Sequence, residues 1–152
     1  MCNNPIILDI KPNYLTEELD CFMSLIVLVA KYYKKNYEMI FSSSWGFEFD
    51  ESLGNDFVWN GLLSGYHGFE RKNTNLRMYN GININVSESD GSLSQLEKIM
   101  HELSAQRPVG ISFDGFDCPW SKLYNKYHAV QYSLITGICD NTFICVSPYI
   151  SK

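Results

Sequence analysis

One cysteine and one distant histidine are the residues of this sequence whose types and positions could do covalent chemistry. Cys21 follows Asp20 at the start of the segment "DCFMSLIVLVAKYY", and His128 opens the segment "HAVQYSLITGI". A thiol becomes a good nucleophile when a helix N-terminus favours its thiolate and an imidazole can accept its proton. The pair therefore indicates nucleophilic catalysis at a carbonyl carbon, with Cys21 as nucleophile and His128 as general base.

Apolar residues recur at helical spacing after Cys21, which predicts a helix from Cys21 to about Lys34 with one buried face and with Asp20 as its N-cap. The dipole of this helix would favour a thiolate, and an amide N–H at its start could bind an oxyanion. Three later segments alternate as strands do and predict an antiparallel sheet: residues 108–113, 128–138 and 142–147.

The other segments complete a prediction of helices followed by a sheet, which is an α+β pattern in one domain over residues 1–152. Ser92 and Gln95 form a capping-box pattern that opens a predicted helix over residues 92–106. Its predicted buried stripe consists of Leu93, Leu96, Ile99, Met100 and Leu103. The remaining predicted elements are a strand at 5–10, helical segments at 37–43 and 57–64, and a strand at 82–86.

Composition excludes several classes of protein. The formal net charge is −5 and no basic stripe is present, which argues against a nucleic-acid partner. The longest apolar run, residues 22–30, is too short to cross a bilayer, and residues 1–12 do not resemble a secretion signal.

The five cysteines are odd in number and contain no C-x-x-C pair, which predicts a reduced, cytoplasmic protein without a disulfide or zinc framework. No histidine has ligand-type neighbours at metal-binding spacing, and no cofactor motif is present.

Three quoted stretches together resemble the N-terminal domain of the butirosin-biosynthesis acyltransferase family: "DCFMSLIVLVAKYYKKNYEMIFSSSWGFEF", "FDCPWSKLYNKYHAVQYSLITGI" and "FICVSPY". The resemblance implies a papain-like, C39-peptidase-like fold, in which a cysteine opens the central helix and a histidine opens a strand. It also implies that Cys21 is the nucleophile and His128 the general base, and that this chain is a whole protein or the N-terminal domain of a longer one.

The position of the family's "Asp-Pro" motif, which supplies the third catalytic residue, is occupied here by Ser147 and Pro148. Ser147 can accept or donate a hydrogen bond, but it cannot stabilise an imidazolium with a full charge. The carboxylates that could replace it are Asp140, expected to point away at the end of a hairpin, and Asp114 and Asp117, in the loop before His128.

Two further residues complete the candidate site. No glutamine precedes Cys21 to bind an oxyanion, and Asn13 is the candidate for that role. Trp120 lies in the loop that leads into His128 and is expected to line the cleft.

The resemblance implies transfer of an acyl group from the thioester of an acyl or peptidyl carrier protein to an amine or water, in aminoglycoside or nonribosomal peptide biosynthesis. The alternative is a catalytically degenerate papain-like domain that docks onto neighbouring synthetase domains, which the serine at position 147 favours. A C39-type peptidase is a third, weaker interpretation, because those enzymes act beside membrane transporters.

Overall fold

The computed structural model describes residues 5–12, 21–38, 73–88, 93–140 and 142–147. The chain separates into two compact units, Met1–Tyr33 with Glu88–Lys152, and Lys34–Ser87. The elements of the first unit are β1 Ile6–Ile7, α1 Cys21–Tyr32, α2 Leu93–Ser104, β2 Val109–Asp114, β3 Val130–Cys139 and β4 Thr142–Val146. This mixture of helices with an antiparallel sheet confirms the predicted α+β class. None of the helices in the described part of the chain is long and apolar enough to cross a membrane.

The sheet is organised around β3, to which β1, β2 and β4 all pair antiparallel. β2 pairs with the first part of β3, from Asp114 opposite Val130 onward. β4 pairs with β3 through a register shift between Ile135 and Gly137. At this irregularity the Thr136 hydroxyl donates to the carbonyl of Ile144 at 3.3 Å. The three strands predicted in the second half of the sequence are thus confirmed, with β3 starting two residues later than predicted.

Helix α1 is buried on more than the one face that its periodicity predicts. Leu25 and Leu28 pack in the main core with residues of β3, and Met23, Val27 and Ala30 are buried as well. A continuous apolar sequence with little charge is what such a surrounded helix requires. α1 ends at Tyr32, about two residues before the predicted end, and the chain then enters the left-handed region at Lys34, where φ is 54°. The Asp20 cap predicted for this helix lies outside the described residues.

Helix α2 contributes less to the core than its sequence predicts. Leu103 is fully buried and Ile99 packs against the core from a half-buried position. Leu93, however, is 81% exposed and Met100 is 39% exposed, so the predicted stripe is wrong for these two residues. The reason is that the contacts of α2 with the core come from its C-terminal half, which packs beside the sheet.

Hydrogen bonds join the C-terminal end of α1 to the chain that follows α2. The hydroxyls of Tyr32 and Tyr33 both donate to the carbonyl of Gln106, at 3.5 Å and 3.3 Å. Gln106 itself has a left-handed φ of 60°, which turns the chain from α2 toward β2. Burial raises the pKa of the Tyr33 hydroxyl, which therefore remains a neutral donor at physiological pH.

The second unit contains a short π-helical segment, Leu76–Asn80, that ends at Gly81 with φ of 64°. The strand predicted at residues 82–86 is wrong, because the backbone there forms no strand. Instead, the side-chain amide of Asn73 accepts from the Ile84 N–H at 2.9 Å and donates to the Ile84 carbonyl at 3.0 Å. One side chain thus takes the hydrogen bonds that a neighbouring strand would supply. Most of the predicted helix 37–43 and all of segment 57–64 lie outside the described residues.

Gly137 generates a prediction about stability. A Cβ at this position would lie 2.5 Å from the carbonyl oxygen of Ile6 and 3.2 Å from the Cα of Ile7, so only glycine lets β1 approach β3 this closely. We expect Gly137→Ala to lower the free energy of unfolding by about 1–3 kcal/mol, as overpacking does, measured by urea unfolding followed by circular dichroism.

Gly110 on β2 provides the matched control. A Cβ there meets no heavy atom within 4 Å, so Gly110→Ala should be neutral or raise stability by about 0.5–1 kcal/mol. Equal free energies of unfolding for the two variants would contradict the close approach of β1 to Gly137.

Candidate active site

Asp114 and His128 meet where β2 ends and β3 is about to begin. Asp114 is the last residue of β2 and pairs with Val130, while the N–H of Gly115 donates to the carbonyl of Ala129 at 2.8 Å. This register brings the two side chains together although they are 14 residues apart. His128 Nδ1 lies 2.7 Å from Asp114 Oδ2, within the range of a strong, charge-assisted hydrogen bond.

The Asp114 carboxylate is fixed by backbone groups as well as by the imidazole. Its Oδ1 accepts from the N–H of Phe116 at 2.9 Å and from the N–H of Ala129 at 3.2 Å. The hydrogen bond with His128 is the main cause that lowers the pKa of Asp114, followed by the bond from Phe116. The carboxylate is therefore an acceptor at neutral pH, which assigns the proton of the neutral imidazole to Nδ1 and leaves the lone pair of Nε2 as a base.

A second contact holds the face of the same imidazole. The ring of Phe116 stacks on His128 with 4.1 Å between the ring centroids and 20° between their planes. His128 nevertheless remains 70% exposed, so its other nitrogen is accessible to a reacting group.

The loop between β2 and β3 folds through successive tight turns. The hydrogen bonds include those from Ser121 N–H to the Cys118 carbonyl and from Asn125 N–H to the Phe116 carbonyl, at 2.9 Å and 3.1 Å. Cys118 is buried within this loop, whereas Trp120 is 65% exposed. An exposed indole in the loop that leads to His128 is compatible with the predicted role of Trp120 beside the site.

Cys21 is the first residue of α1, as predicted, and it is partly buried with a free thiol. The next residue, Phe22, makes an edge-to-face contact with Tyr132 at a centroid distance of 5.4 Å. The first turn of α1 therefore lies against β3 close to the strand end that follows His128. Within the described residues, no hydrogen bond joins Cys21 to His128.

Ser147 was predicted as the third catalytic residue, and that role stays a prediction. Ser147 directly follows β4, whose last residue, Val146, pairs with Leu134 well along β3. In the described part of the chain it is Asp114 that bonds the His128 ring. Of the carboxylates considered from the sequence, the structure thus brings Asp114 to the imidazole. The predicted oxyanion residue, Asn13, lies outside the described residues.

The cysteines divide into free and bonded residues. Cys21, Cys118 and Cys145 are free, whereas Cys139 is disulfide-bonded. The prediction that all cysteines are reduced is therefore wrong for Cys139. Disulfides are typical of oxidising compartments, so the cytoplasmic localisation stays a prediction. Across the described ranges, no group of three or more His, Cys, Asp or Glu side chains could hold a metal ion.

No protein-family model, curated protein or solved structure shows a significant match to this chain. The resemblance to butirosin-type acyltransferases stays a prediction, and the candidate chemistry depends on the geometry of the side chains themselves.

Sequence reasoning named Asp114 only as one of several carboxylates and did not name Phe116 as a functional residue. A signal for Asp114 was present, because consecutive antiparallel strands place the end of the first beside the start of the second. Applied to "ISFD" and "HAVQY", that rule brings Asp114 and His128 to the same sheet end. The stacking of Phe116 has no comparable signal, because it depends on how the loop turns.

The lowered pKa of Asp114 predicts a pH-dependent contribution to stability. Because the folded carboxyl has the lower pKa, this contribution is present above the unfolded value of about 3.9 and is lost as pH falls through the folded value. Wild type should therefore be more stable than Asp114→Asn at neutral pH, and the difference should shrink as the pH falls below about 4. Urea unfolding over a pH series measures this difference.

The control is Asp117→Asn, which removes a negative charge from the loop between β2 and β3. Within the described residues, Asp117 has no hydrogen bond to His128. A gap between wild type and Asp114→Asn that stays constant down to strongly acidic pH, or an equal effect of Asp117→Asn, would rule out this role of the carboxylate.

Proposed function

We propose that the chain is a papain-like, cysteine-dependent acyltransferase in which Cys21 is the nucleophile, His128 the general base and Asp114 the carboxylate that orients His128. The observation that carries the proposal is the 2.7 Å hydrogen bond between His128 Nδ1 and Asp114 Oδ2. A carboxylate bonded to one imidazole nitrogen fixes the tautomer in which the other nitrogen can accept a proton from a nucleophile.

Asp114 can replace the carboxylate that the resembled family has at the position of Ser147. In a comparable serine-protease triad, loss of the orienting carboxylate lowers the rate by about four orders of magnitude. Asp114 supplies that full negative charge from β2, so the serine after β4 is not a reason to infer a dead site. The catalytic carboxylate would then precede the histidine along the chain instead of following it.

Cys21 contributes the second half of the proposed site. Its position at the first residue of a buried helix exposes its thiol to the positive end of the helix dipole. The contact of Phe22 with Tyr132 supports placement of this turn near the His128 end of β3.

The proposed reaction has two steps. The Cys21 sulfur attacks the carbonyl carbon of a thioester or amide, and the thiol or amine leaves with the proton that His128 accepted from Cys21. An amine or water then attacks the acyl-enzyme thioester, giving its proton to His128, and the Cys21 sulfur leaves and takes that proton back. The positive end of the α1 dipole, next to Cys21, is the candidate to stabilise the oxyanion of both steps.

The family resemblance supplies the substrate class of the proposal. The acyl donor would be a thioester carried by an acyl or peptidyl carrier protein, and the setting the synthesis of an aminoglycoside or a nonribosomal peptide. The structural features that support this site are the Asp114–His128 hydrogen bond and the position of Cys21 at the start of α1.

A second candidate function is a docking module without catalysis. It is favoured by the exposure of Trp120 and Tyr127 in the loop that precedes His128, at 65% and 69%, because exposed aromatic side chains are typical of protein interaction surfaces. Reactivity of the thiol separates the two functions.

Alkylation by iodoacetamide tests the proposed pair. An ordinary thiol with a pKa of about 8.5 is only about 1% ionised at pH 6.5, so a thiolate–imidazolium pair should react about 10- to 100-fold faster at that pH. We expect fast labelling of Cys21 in wild type, slow labelling in His128→Ala, and an intermediate rate in Asp114→Asn. Peptide mass spectrometry reads each cysteine separately.

Cys145 is the internal control, since its residue is exposed to the reagent while desolvation raises the pKa of its thiol, so it should label slowly at pH 6.5 in every variant. Labelling of Cys21 at the rate of an ordinary thiol, unchanged by His128→Ala, would exclude the acyltransferase and leave the docking module.

A further inference from the structure

The imidazole of His128 is contacted at its edge by the last residue of β2 and on its face by a residue of the loop that follows. Asp114 bonds its edge at Nδ1, and Phe116 covers one of its faces at a centroid distance of 4.1 Å. The hydrogen bond alone does not keep the ring in place, because both side chains are exposed to competing water, at 70% and 38%, and an open bond lets the imidazole rotate. A stacked ring restricts that rotation, because the two planes must stay nearly parallel.

Phe116 can act in this way because its own backbone is fixed. Its N–H donates to Asp114 Oδ1 at 2.9 Å, and its carbonyl accepts from the N–H of Asn125 at 3.1 Å. Gly115, the preceding residue, is packed so closely that a Cβ would lie 3.0 Å from Leu123 and 3.1 Å from Gln131. The backbone that carries the phenyl ring is therefore fixed by two hydrogen bonds of Phe116 and by the close packing of Gly115.

We propose that Phe116 is a positioning residue that sets the plane of the His128 imidazole and thereby aims Nε2. The inference rests on the proposed function, in which Nε2 is the base, but the geometry it predicts for His128 can be measured without any reaction. The stacking energy of an aromatic pair corresponds to about a two- to tenfold change in the ratio between the aligned and the non-aligned orientation of the imidazole. Loss of the ring should lower the population of the aligned imidazole by that factor.

An ordinary packing role is the competing explanation. A phenyl ring that only filled space would affect stability when removed, without a specific effect on the histidine. Phe143 of β4 is a suitable comparison, because it is a half-buried phenylalanine that packs against the main core.

Nuclear magnetic resonance of the imidazole groups distinguishes the two roles. The variants are Phe116→Leu, which removes the ring, Phe116→Tyr, which keeps it, and Phe143→Leu as the control, with the His128 signals assigned by their loss in His128→Gln. We expect wild type and Phe116→Tyr to share upfield-shifted ring protons and the Nδ1–H tautomer. In Phe116→Leu the ring-current shift should vanish and the Nδ1–H tautomer should fall about two- to tenfold relative to its alternative, while Phe143→Leu leaves both unchanged.

Unaltered His128 signals in Phe116→Leu, or equal changes in Phe143→Leu, would overturn the positioning role. A wild-type nuclear Overhauser contact between the phenyl and imidazole protons must also be present, and its absence would overturn the proposal even if Phe116→Leu did not fold. Slow Cys21 alkylation that ignores His128 would instead reject the acyltransferase and leave the role of Phe116 standing. Fast, His128-dependent alkylation that is unchanged in Phe116→Leu would reject the positioning role alone.

Discussion

The backbone pairing of β3 is the constraint on which the rest of the first unit depends. β1, β2 and β4 all pair with this one strand, and the side chains of Leu134, Ile135 and Ile138 form its share of the main core. A strand paired on both edges and packed against a helix must be apolar over most of its length, and residues 133–138 are all buried. Of the ten residues of β3 only Val130, at the end that follows His128, is exposed.

The candidate site follows from that geometry, because the end of a buried strand is where polar groups can be held without being desolvated. Asp114 and His128 lie at the exposed end of the β2–β3 pair, and the carboxylate is hydrogen-bonded to an imidazole and two backbone N–H groups. Surface ion pairs usually contribute little, since long side chains lose entropy when they pair. Here the carboxylate is short and anchored to the backbone, which reduces that loss.

Helices and strands that are set by burial could be predicted from the sequence, whereas contacts that depend on the geometry of a loop could not. Helix α1 and the strands β2, β3 and β4 were predictable because long apolar periods leave few alternatives. The strand predicted at residues 82–86 failed because a single side-chain amide, that of Asn73, replaced a partner strand. For the site, types and spacing could nominate Cys21 and His128. Strand order adds a signal that Asp114 lies at the same sheet end as His128, but the contact between the two side chains depends on the pairing register, which types and spacing do not specify.

Cys21 and His128, the proposed catalytic pair, are positioned by different kinds of contact, which explains why the histidine needs the contacts from Asp114 and Phe116. Cys21 begins a helix that is buried along most of its length, so the position of its backbone follows from packing. His128 precedes β3 and is 70% exposed, so no core fixes its ring. A base that must meet a thiol within hydrogen-bond reach cannot rely on a freely rotating side chain. The edge contact from Asp114 and the face contact from Phe116 supply, through hydrogen bonding and stacking, the order that burial supplies to Cys21.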